Sequence, residues 1–241
     1  MVVSERPWEK RNLGVESCAF YIKKDENAAE CMKDLGKYQH QYQVMYIQWG
    51  NAAALKEAQK HGFIMTEMNL HLQKKLNTEV MPSIYKPYEQ HLAYSIASSG
   101  EQEWLLQTIR TGKIFTTDRV AMDSHFGLEC AGRRYAYWAE DVLADGATLL
   151  LMKYKEKVIS FDILVGRDNE TVDAILGGLL PEFEASGLGF VGLYLISQWA
   201  KGENYKKIVT NVSSNNLPIL RLHELFGYGV DDLAYVLTKY L

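Results

Sequence analysis

The sequence predicts an α/β (α+β) fold on three observations. Short β-rich segments alternate with helical patterns along the 241 residues, and one strand–helix–strand pattern occurs near both ends. The hydrophobic fraction of 47% can supply a buried core and excludes a mainly disordered chain. The longest apolar runs are short and strand-like, well below the length that a membrane-spanning helix needs.

The first 80 residues mix strand and helix patterns. The predicted elements are, in order, a strand over Ser17–Ile22, a helix over 27–42, a strand over 43–49, a helix that Asn51 caps and Gly62 ends, and a strand over 63–76. Residues 77–90 contain two of the five prolines and no clear period, which predicts a linker.

The rest of the chain predicts two helices, then a β-meander followed by a β-α-β-α-β pattern. The helices cover 101–111 and 131–144, and the segment between them is predicted as a long loop. The later elements are strands over 147–157, 157–167 and 171–180, a helix over 191–202, a strand over 207–212, a helix over 218–226 and a strand over 234–240.

Charge and cysteine content narrow the function classes. The 26 basic and 30 acidic side chains give a net charge of −4, which argues against a general nucleic-acid binder. Cys18, Cys31 and Cys130 lack metal-site or disulfide spacing, and the histidines also lack ligand spacing, so no metal is expected. The N-terminus lacks an apolar signal region, and we expect a cytoplasmic protein without a membrane partner.

The chain also contains an internal repeat at an offset of 165 residues. Asn51 aligns with Asn216, and Gly62 followed by Phe63 aligns with Gly227 followed by Tyr228. The alignment needs no gap over more than thirty residues. It predicts two copies of one unit, composed of a strand, an Asn cap, a helix, a Gly–aromatic stop and a strand. The alternative is that any two β-α-β units of this length would align.

A glycine-rich segment precedes the second copy. Gly187, Gly189 and Gly192 have the spacing of a dinucleotide fingerprint, but a meander precedes them in place of the first strand of a parallel unit. Glycines allow a ligand to approach the backbone, and free N–H groups at a helix N-terminus attract phosphate. The segment therefore predicts a phosphate-binding loop.

Two motifs carry a family resemblance. Pro181–Gly189 (PEFEASGLG) resembles the acyl-CoA loop P-x-x-R/Q-x-x-G-x-G/A of the GCN5-related N-acetyltransferase (GNAT) superfamily. Asn216–Tyr228 (NLPILRLHELFGY) resembles the family's N-x-x-A-x-x-L-Y-E-K-L-G-F, in family order and spacing. The resemblance implies a GNAT acyl-CoA N-acyltransferase fold for residues 88–241, and the repeat suggests a partial GNAT-like α/β domain over 1–80.

The resemblance also implies acetyl-CoA as cofactor. The residues implied to bind it are Leu179, Leu180, Ser186, Gly187, Leu188, Gly189, Phe190 and Asn216. The hydrogen-bond donor to the thioester carbonyl oxygen is expected to be a backbone N–H near Leu179 or Leu180. The pair Gly177–Gly178 indicates either a bulge that turns an amide toward the ligand or a close helix contact.

Two departures from the family pattern concern binding and proton transfer. Glu184 replaces the usual Arg or Gln of the loop, close to the expected pyrophosphate. His223 replaces the usual tyrosine proton donor, and a histidine with a pKa near neutrality suits that role. The alternative for His223 is a packing role, with Tyr228 and Tyr235 as other donors.

The acceptor side has a narrower resemblance. Residues 132–138, with Asp118 and Arg119 upstream, resemble the acceptor-side helix of the bacterial dTDP-fucosamine (dTDP-4-amino-4,6-dideoxygalactose) acetyltransferases. The candidate substrate-binding residues are Arg119, Asp123, His125, Arg133, Tyr135 and Trp138. Each also has a structural alternative, such as a solvated helix face, loop polarity or core packing.

The sequence thus predicts an enzyme that transfers an acetyl group directly from acetyl-CoA to a primary amine. A nucleotide-linked aminosugar is one acceptor, and a protein N-terminus, an amino acid or a polyamine are others. A catalytically weak acyl-CoA-binding module is the non-enzyme alternative. The expected partner is a small-molecule amine. The last strand has two alternatives, pairing within the chain or pairing with a second copy in a homodimer.

Overall fold

A computed structural model describes residues 1–76 and 81–241, which form two compact units. The first comprises residues 1–70, 213–215 and 232–241, and the second comprises 71–212 and 216–231. Neither unit is one continuous segment, and the interpretation of 1–80 and 88–241 as two related domains stays a prediction. No helix in the described ranges is long and apolar enough to cross a bilayer.

The first unit has a mixed sheet with the strand order β1-β2-β3-β10-β4. Its elements are β1 (Val2–Glu5), α1 (Trp8–Leu13), β2 (Ser17–Ile22), α2 (Ala28–Met32), β3 (Tyr42–Gln48), α3 (Ala52–Lys60), the start of β4 (Ile64–Lys75) and most of β10 (Gly229–Tyr240). β3 is parallel to β2 and antiparallel to β10. Buried Phe20, Met45 and Ile47 lie in its core.

The second unit has the strand order β4-β9-β8-β7-β6-β5. Its elements are β5 (Leu92–Ile96), α4 (Ser99–Arg110), α5 (Gly127–Ala144), β6 (Thr148–Tyr154), β7 (Lys157–Gly166), β8 (Thr171–Leu179), α6 (Phe190–Gly202), β9 (Lys207–Ser213, of which the last residue belongs to the first unit) and α7 (Leu217–Leu225). Strands β5 to β8 are antiparallel neighbours, and β8 is parallel to β9. Its core contains Phe161, Ile163 and Leu176.

Local sequence explains the element boundaries. Ser98 and Glu101 form a capping box that starts α4. Lys155 and Glu156 both have positive φ, at 47° and 64°, and form the tight turn between β6 and β7. Gly132 of α5 lies against Gly112, where an added Cβ would meet the Gly112 nitrogen at 2.6 Å. Small residues therefore allow close contact between α5 and the end of α4.

The structure confirms the internal repeat at the level of single residues. β3, α3 and β4 begin and end 165 positions before β9, α7 and β10. The side chains of Asn51 and Asn216 both accept a hydrogen bond from the N–H three residues later. Gly62 and Gly227 both have φ near +80°, at 83° and 80°. The two copies thus share their caps and stops as well as their strands.

Two expectations about local structure are wrong, and three elements were not predicted. The helix predicted over 27–42 is interrupted, since α2 ends at Met32 and only a short 3-10 segment follows at Leu35–Lys37. The linker predicted over 77–90 lies outside the described residues at 77–80, but Ser83–His91 is a 3-10 helix. Its Tyr85 ring stacks on Phe190 at 4.0 Å, and such packing orders a segment that lacks a hydrophobic period. β1, α1 and β5 were not predicted.

Candidate functional site

The candidate acyl-donor site begins where β8 separates from β9. The two strands are paired only between residues 171–174 and 207–210, although β8 continues to Leu179 and β9 also continues past Thr210. The last five residues of β8 therefore have a free edge on the β9 side. This edge can accept an extended ligand through backbone hydrogen bonds.

The strand register identifies the free amides on that edge. Leu180 N–H donates to the Ile159 carbonyl at 2.8 Å, so it faces β7 and is engaged. Successive N–H groups of an antiparallel strand point to opposite edges, so those of Gly177 and Leu179 point away from β7. The Leu180 amide is engaged, so the expectation that it donates to the thioester carbonyl is wrong. The Leu179 and Gly177 amides both point to the free edge, and the role of Leu179 as that donor stays a prediction.

The pair Gly177–Gly178 does not form the bulge. The register with β7 shifts between Ile163 and Leu164, which leaves Ile175 as the extra residue on β8. A Cβ on Gly177 would lie 1.8 Å from Asp162 Oδ1, and one on Gly178 would lie 2.7 Å from Ile114 Cγ2. The glycines are needed because two side chains from other elements occupy the space beside this strand.

The loop after β8 presents free backbone donors. Ala185 and Gly187 have positive φ, at 61° and 77°, and the turns that they form direct the chain into α6. In the described part of the chain, the N–H groups of Ala185, Gly187, Gly189 and Phe190 make no hydrogen bond. Such amides at a helix N-terminus form an anion-binding site. The predicted roles of Gly187, Gly189 and Phe190 are consistent with this geometry.

Other loop residues have internal roles. Ser186 Oγ accepts from Leu188 N–H at 3.2 Å, so that amide is engaged within the loop. Glu184 is exposed at the end of a short 3-10 segment (Pro181–Phe183), so its side chain is not enclosed within the loop. The Asn216 side chain, predicted to bind cofactor, accepts from Ile219 N–H at 3.4 Å and caps α7. These interactions give Ser186 and Asn216 structural roles, and a role toward cofactor stays a prediction.

His223 lies on α7 with only 6% of its surface exposed. Burial lowers the pKa of His223 to about 4, the hydrogen bond to the Ile219 carbonyl opposes this effect, and the positive charge of Lys74 adds to it. The expectation of a pKa near neutrality is therefore wrong, because a buried imidazole is costly to charge. Its Nδ1 lies 2.8 Å from the Ile219 oxygen and donates to it, so Nε2 has the lone pair.

The Tyr228 ring contacts both His223 and a buried lysine. It meets the imidazole edge to face, with ring centres 4.7 Å apart at 77°. Lys74 Nζ lies 5.5 Å from the Tyr228 ring centre and 5.7 Å from that of Phe226. The same nitrogen donates to Ser197 Oγ at 3.2 Å. The lysine was not singled out in the sequence, although its alignment with Lys239 in the repeat could have indicated it. Tyr235, the other predicted donor, lies in the first unit.

The predicted acceptor residues form two groups. In the first group, the Tyr135 hydroxyl donates to Asp118 Oδ2 at 2.9 Å, and Arg119 lies 3.9 Å from the same oxygen. Asp118 and Arg119 are both 8% exposed, and burial raises the pKa of Tyr135 well above its usual value, with the Asp118 charge acting in the same direction. Trp138 lies beside them, 6.0 Å from the Tyr135 ring.

Phe115 connects this group to β8. Its ring centre lies 4.2 Å from that of Tyr135, and its Cε1 lies 3.8 Å from the position of a Cβ on Gly178. Ile114 and Phe115 come from the segment predicted as a loop, and sequence reasoning missed them because a loop aromatic has no period to mark it. The second group is a pair in which Nδ1 of exposed His125 lies 2.8 Å from Oδ1 of half-buried Asp123. Arg133 instead contacts Cys130 Sγ at 3.3 Å.

Metal ligation has no candidate here, since no group of three or more ligating side chains occurs within 1–76 and 81–241. The thiols of Cys18, Cys31 and Cys130 are buried. Burial also raises the pKa of Cys18 to about 12, which makes it a poor nucleophile.

Comparisons with known proteins identify the fold. No family model matches the sequence, and no curated protein matches it. Among solved structures, a conserved protein of unknown function from Staphylococcus epidermidis has a TM-score of 0.63 at 11% identity, covering 98% of this chain and 88% of its own. A GCN5-related N-acetyltransferase from Kribbella flavida has a TM-score of 0.57 at 12% identity, covering 93% and 81%.

A tandem GNAT protein from the clavulanic acid biosynthesis pathway is also similar, with a TM-score of 0.53 at 9% identity, covering 88% and 68%. At these identities the likeness concerns the fold. The chain therefore has the fold of the GCN5-related N-acetyltransferases, as the two sequence motifs predicted. This fold places the free edge of β8 and the loop before α6 within one unit.

Proposed function

We propose that the chain is an acetyl-CoA-dependent N-acetyltransferase that acts on a primary amine. The observation that carries the proposal is the set of four unengaged loop amides, at Ala185, Gly187, Gly189 and Phe190. They follow directly after the free edge of β8 with the Gly177 and Leu179 amides. The first set suits a pyrophosphate, and the second suits carbonyl oxygens of a thioester and its amide-containing arm.

Acetyl-CoA supplies an activated acetyl group as a thioester. The amine nitrogen forms a bond to the acetyl carbon and the carbon–sulfur bond breaks. The nitrogen loses a proton, and the thiolate gains one. The Gly177 N–H is the candidate donor to the carbonyl oxygen, because it lies on the free edge beside the bulge at Ile175.

Tyr228 and His223 divide the proton-handling roles in this proposal. His223 is almost wholly neutral at pH 7 because burial lowers its pKa to about 4, so it is a poor proton donor. Its Nε2 can accept a hydrogen bond from the amine or from a water molecule. Tyr228 is then the candidate acid for the leaving thiolate.

The acceptor is a primary amine in this proposal, and its identity needs a direct test. Aminosugars linked to a nucleotide are one class, and protein N-termini, amino acids and polyamines are others. Arg119 is already held beside Asp118, which weakens the case that it binds a substrate diphosphate. The Tyr135 and Trp138 rings offer an aromatic surface to any of these acceptors.

Binding of CoA tests the loop directly. Gly189 has φ −59°, which proline also adopts, so Gly189→Pro removes the N–H at a compatible φ. One lost charge-assisted hydrogen bond should weaken CoA binding about 10- to 100-fold by calorimetry. Gly189→Ala is the matched control, since it keeps the amide and its Cβ meets only two flexible side-chain ends, Leu222 Cδ1 at 3.1 Å and Leu179 Cδ1 at 3.7 Å. Equal affinities for the two variants would contradict the role of this loop.

Turnover is measured as free thiol released from acetyl-CoA with a panel of amines. Release above background with one acceptor class supports an acetyltransferase and identifies its substrate. Binding of CoA without release for any amine would support the acyl-CoA-binding module instead. If the wild-type protein binds no CoA, both forms of the proposal fail.

A further inference from the structure

Lys74 brings a buried positive charge to the proposed proton-transfer residues. Its side chain comes from β4, which belongs to the first copy of the repeat, and Lys74 is only 7% exposed. The ammonium group is held by the Ser197 hydroxyl of α6 and by the faces of Phe226 and Tyr228. A buried ammonium is costly, so this environment fixes its position.

His223 and Lys74 both contact the Tyr228 ring, at 4.7 Å between ring centres and 5.5 Å from Nζ to the ring centre. The Lys74 charge also lowers the pKa of the imidazole, in addition to burial. The titratable groups that act on the imidazole are Lys74 from β4 and Tyr228, which directly precedes β10. On its own helix it contacts the Ile219 carbonyl. Nε2 makes no hydrogen bond within the described ranges. Its lone pair is therefore available to accept a hydrogen bond from a ligand.

We propose that Lys74 is a positioning residue that keeps His223 an uncharged hydrogen-bond acceptor in the acyl-transfer site. Burial of the ring lowers its pKa most, and two restraints act beside burial. The Ile219 carbonyl holds the proton of the ring on Nδ1, and the Lys74 ammonium opposes the arrival of a second proton on Nε2. The role of His223 as a hydrogen-bond acceptor in acyl transfer rests on the proposed acetyltransferase function. The effect of Lys74 on the charge of His223 does not depend on that function.

The repeat supplies an internal comparison. Lys239 aligns with Lys74 and Phe63 aligns with Tyr228, and Lys239 Nζ lies 5.8 Å from the Phe63 ring centre in the first unit. The residue aligned with His223 is Ala58. Both copies therefore have the lysine–aromatic contact, but only the copy with the phosphate-binding loop adds an imidazole. This difference points to a function of Lys74 beyond packing.

The test is an NMR titration of His223 in the full chain, assigned with a His223→Gln variant. The wild-type ring should stay neutral, with the proton on Nδ1, until the pH falls close to 4. Lys74→Met should raise the titration midpoint, and Lys74→Arg should restore it. Lys239→Met is the matched control and should leave the His223 midpoint unchanged.

Activity gives the second readout, from thiol release as a function of pH. Protonated His223 cannot accept, so the acidic limb of kcat should move to higher pH in Lys74→Met by the same shift as the NMR midpoint, with the KM for acetyl-CoA little changed. An acidic limb that stays in place while the midpoint moves would contradict the role in transfer.

Other outcomes also decide the proposal. An unchanged His223 midpoint in folded Lys74→Met, or an equal shift in Lys239→Met, would overturn it. If Lys74→Met does not fold, the wild-type titration still decides, because a midpoint at or above the ordinary histidine value of about 6.5 would overturn it. If no amine supports turnover, the acetyltransferase proposal fails separately, and the NMR comparison still determines whether Lys74 sets the charge of His223.

Discussion

Lys74 Nζ lies 5.5 Å from the centre of the Tyr228 ring, so a residue of the first copy of the repeat contacts a residue of the second copy. The lysine belongs to the last strand of the first copy, and the tyrosine precedes the last strand of the second. Lys239 and Phe63 make the reciprocal contact at 5.8 Å. Each copy therefore supplies a cation to the aromatic stop of the other.

The two asparagine caps should differ in their contribution to stability. Asn216→Ala removes one cap and should lower the free energy of unfolding by about 1 kcal/mol. Asn51 also donates to the carbonyls of Lys23 and Glu26 at 3.0 Å each, so Asn51→Ala should cost about 2 kcal/mol or more. Urea unfolding of both variants measures the two losses in the free energy of unfolding. Asn51→Asp keeps the cap oxygen but turns a second acceptor oxygen toward these two carbonyls, so it should cost at least as much as Asn51→Ala. Equal losses for the two alanine variants would contradict the assignment.

Gly177 should tolerate no side chain while Asp162 is present. A Cβ would lie 1.8 Å from Asp162 Oδ1, so Gly177→Ala should lower stability by about 1–3 kcal/mol through overpacking. Adding Asp162→Ala should recover part of that loss, because it removes the carboxyl group. A double-mutant cycle from thermal or urea unfolding measures the coupling. Additive effects would show that the two residues do not compete for this space.

Asp162 should make stability depend on pH. Burial raises the pKa of Asp162 well above its usual value, so folding keeps the carboxyl protonated where the unfolded chain is ionised. Its contribution is fully present below about pH 4 and is lost as the pH rises toward the folded pKa. Asp162→Asn should therefore raise the melting temperature at pH 7 and have little effect near pH 3.5.

Asp168→Asn provides a control of opposite sign. Hydrogen bonds from the Glu170 and Thr171 backbone lower the pKa of this exposed carboxyl, so its stabilisation is present above the unfolded pKa and lost at lower pH. The melting temperature should then fall at pH 7 in this variant. A pH-independent effect of Asp162→Asn would contradict a neutral buried carboxyl.

Tyr135→Phe should separate a structural role from acceptor binding. The variant leaves buried Asp118 without one donor and should cost about 1–3 kcal/mol of stability. Tyr94→Phe, at an exposed hydroxyl on β5, is the control and should be neutral. A rise in the KM of the amine in folded Tyr135→Phe would add an acceptor role. No change in either quantity would contradict the Tyr135–Asp118 hydrogen bond.

Most of the fold could be predicted from local sequence. Asn51, Gly62 and Gly227 are residues whose chemistry determines where a helix begins or ends, and the structure places them at those positions. The repeat was visible because it preserves these stops without a gap. The interrupted helix after Asn27 and the 3-10 helix around Tyr85 could not be predicted, because tertiary contacts override weak local propensity there.

The part of the candidate site that depends on backbone conformation could be predicted from the sequence. Gly187 and Gly189 mark the loop because glycine chemistry is visible in sequence. The pKa of His223 depends on burial, and the enclosure of Asp162 depends on the register between two strands. Neither quantity can be read from residue spacing, so the acid role of His223 and the donor role of the Leu180 amide were misjudged.

The antiparallel pairing of β10 with β3 has a consequence for biosynthesis. Residues 234–240 pair with residues 42–48, so this ladder cannot form until nearly two hundred further residues have been translated. Until then the edge of β3 is open to other extended chains, which is a risk for aggregation. Contacts of such long sequence separation also slow folding. We expect the nascent chain to depend on chaperones until β10 has left the ribosome.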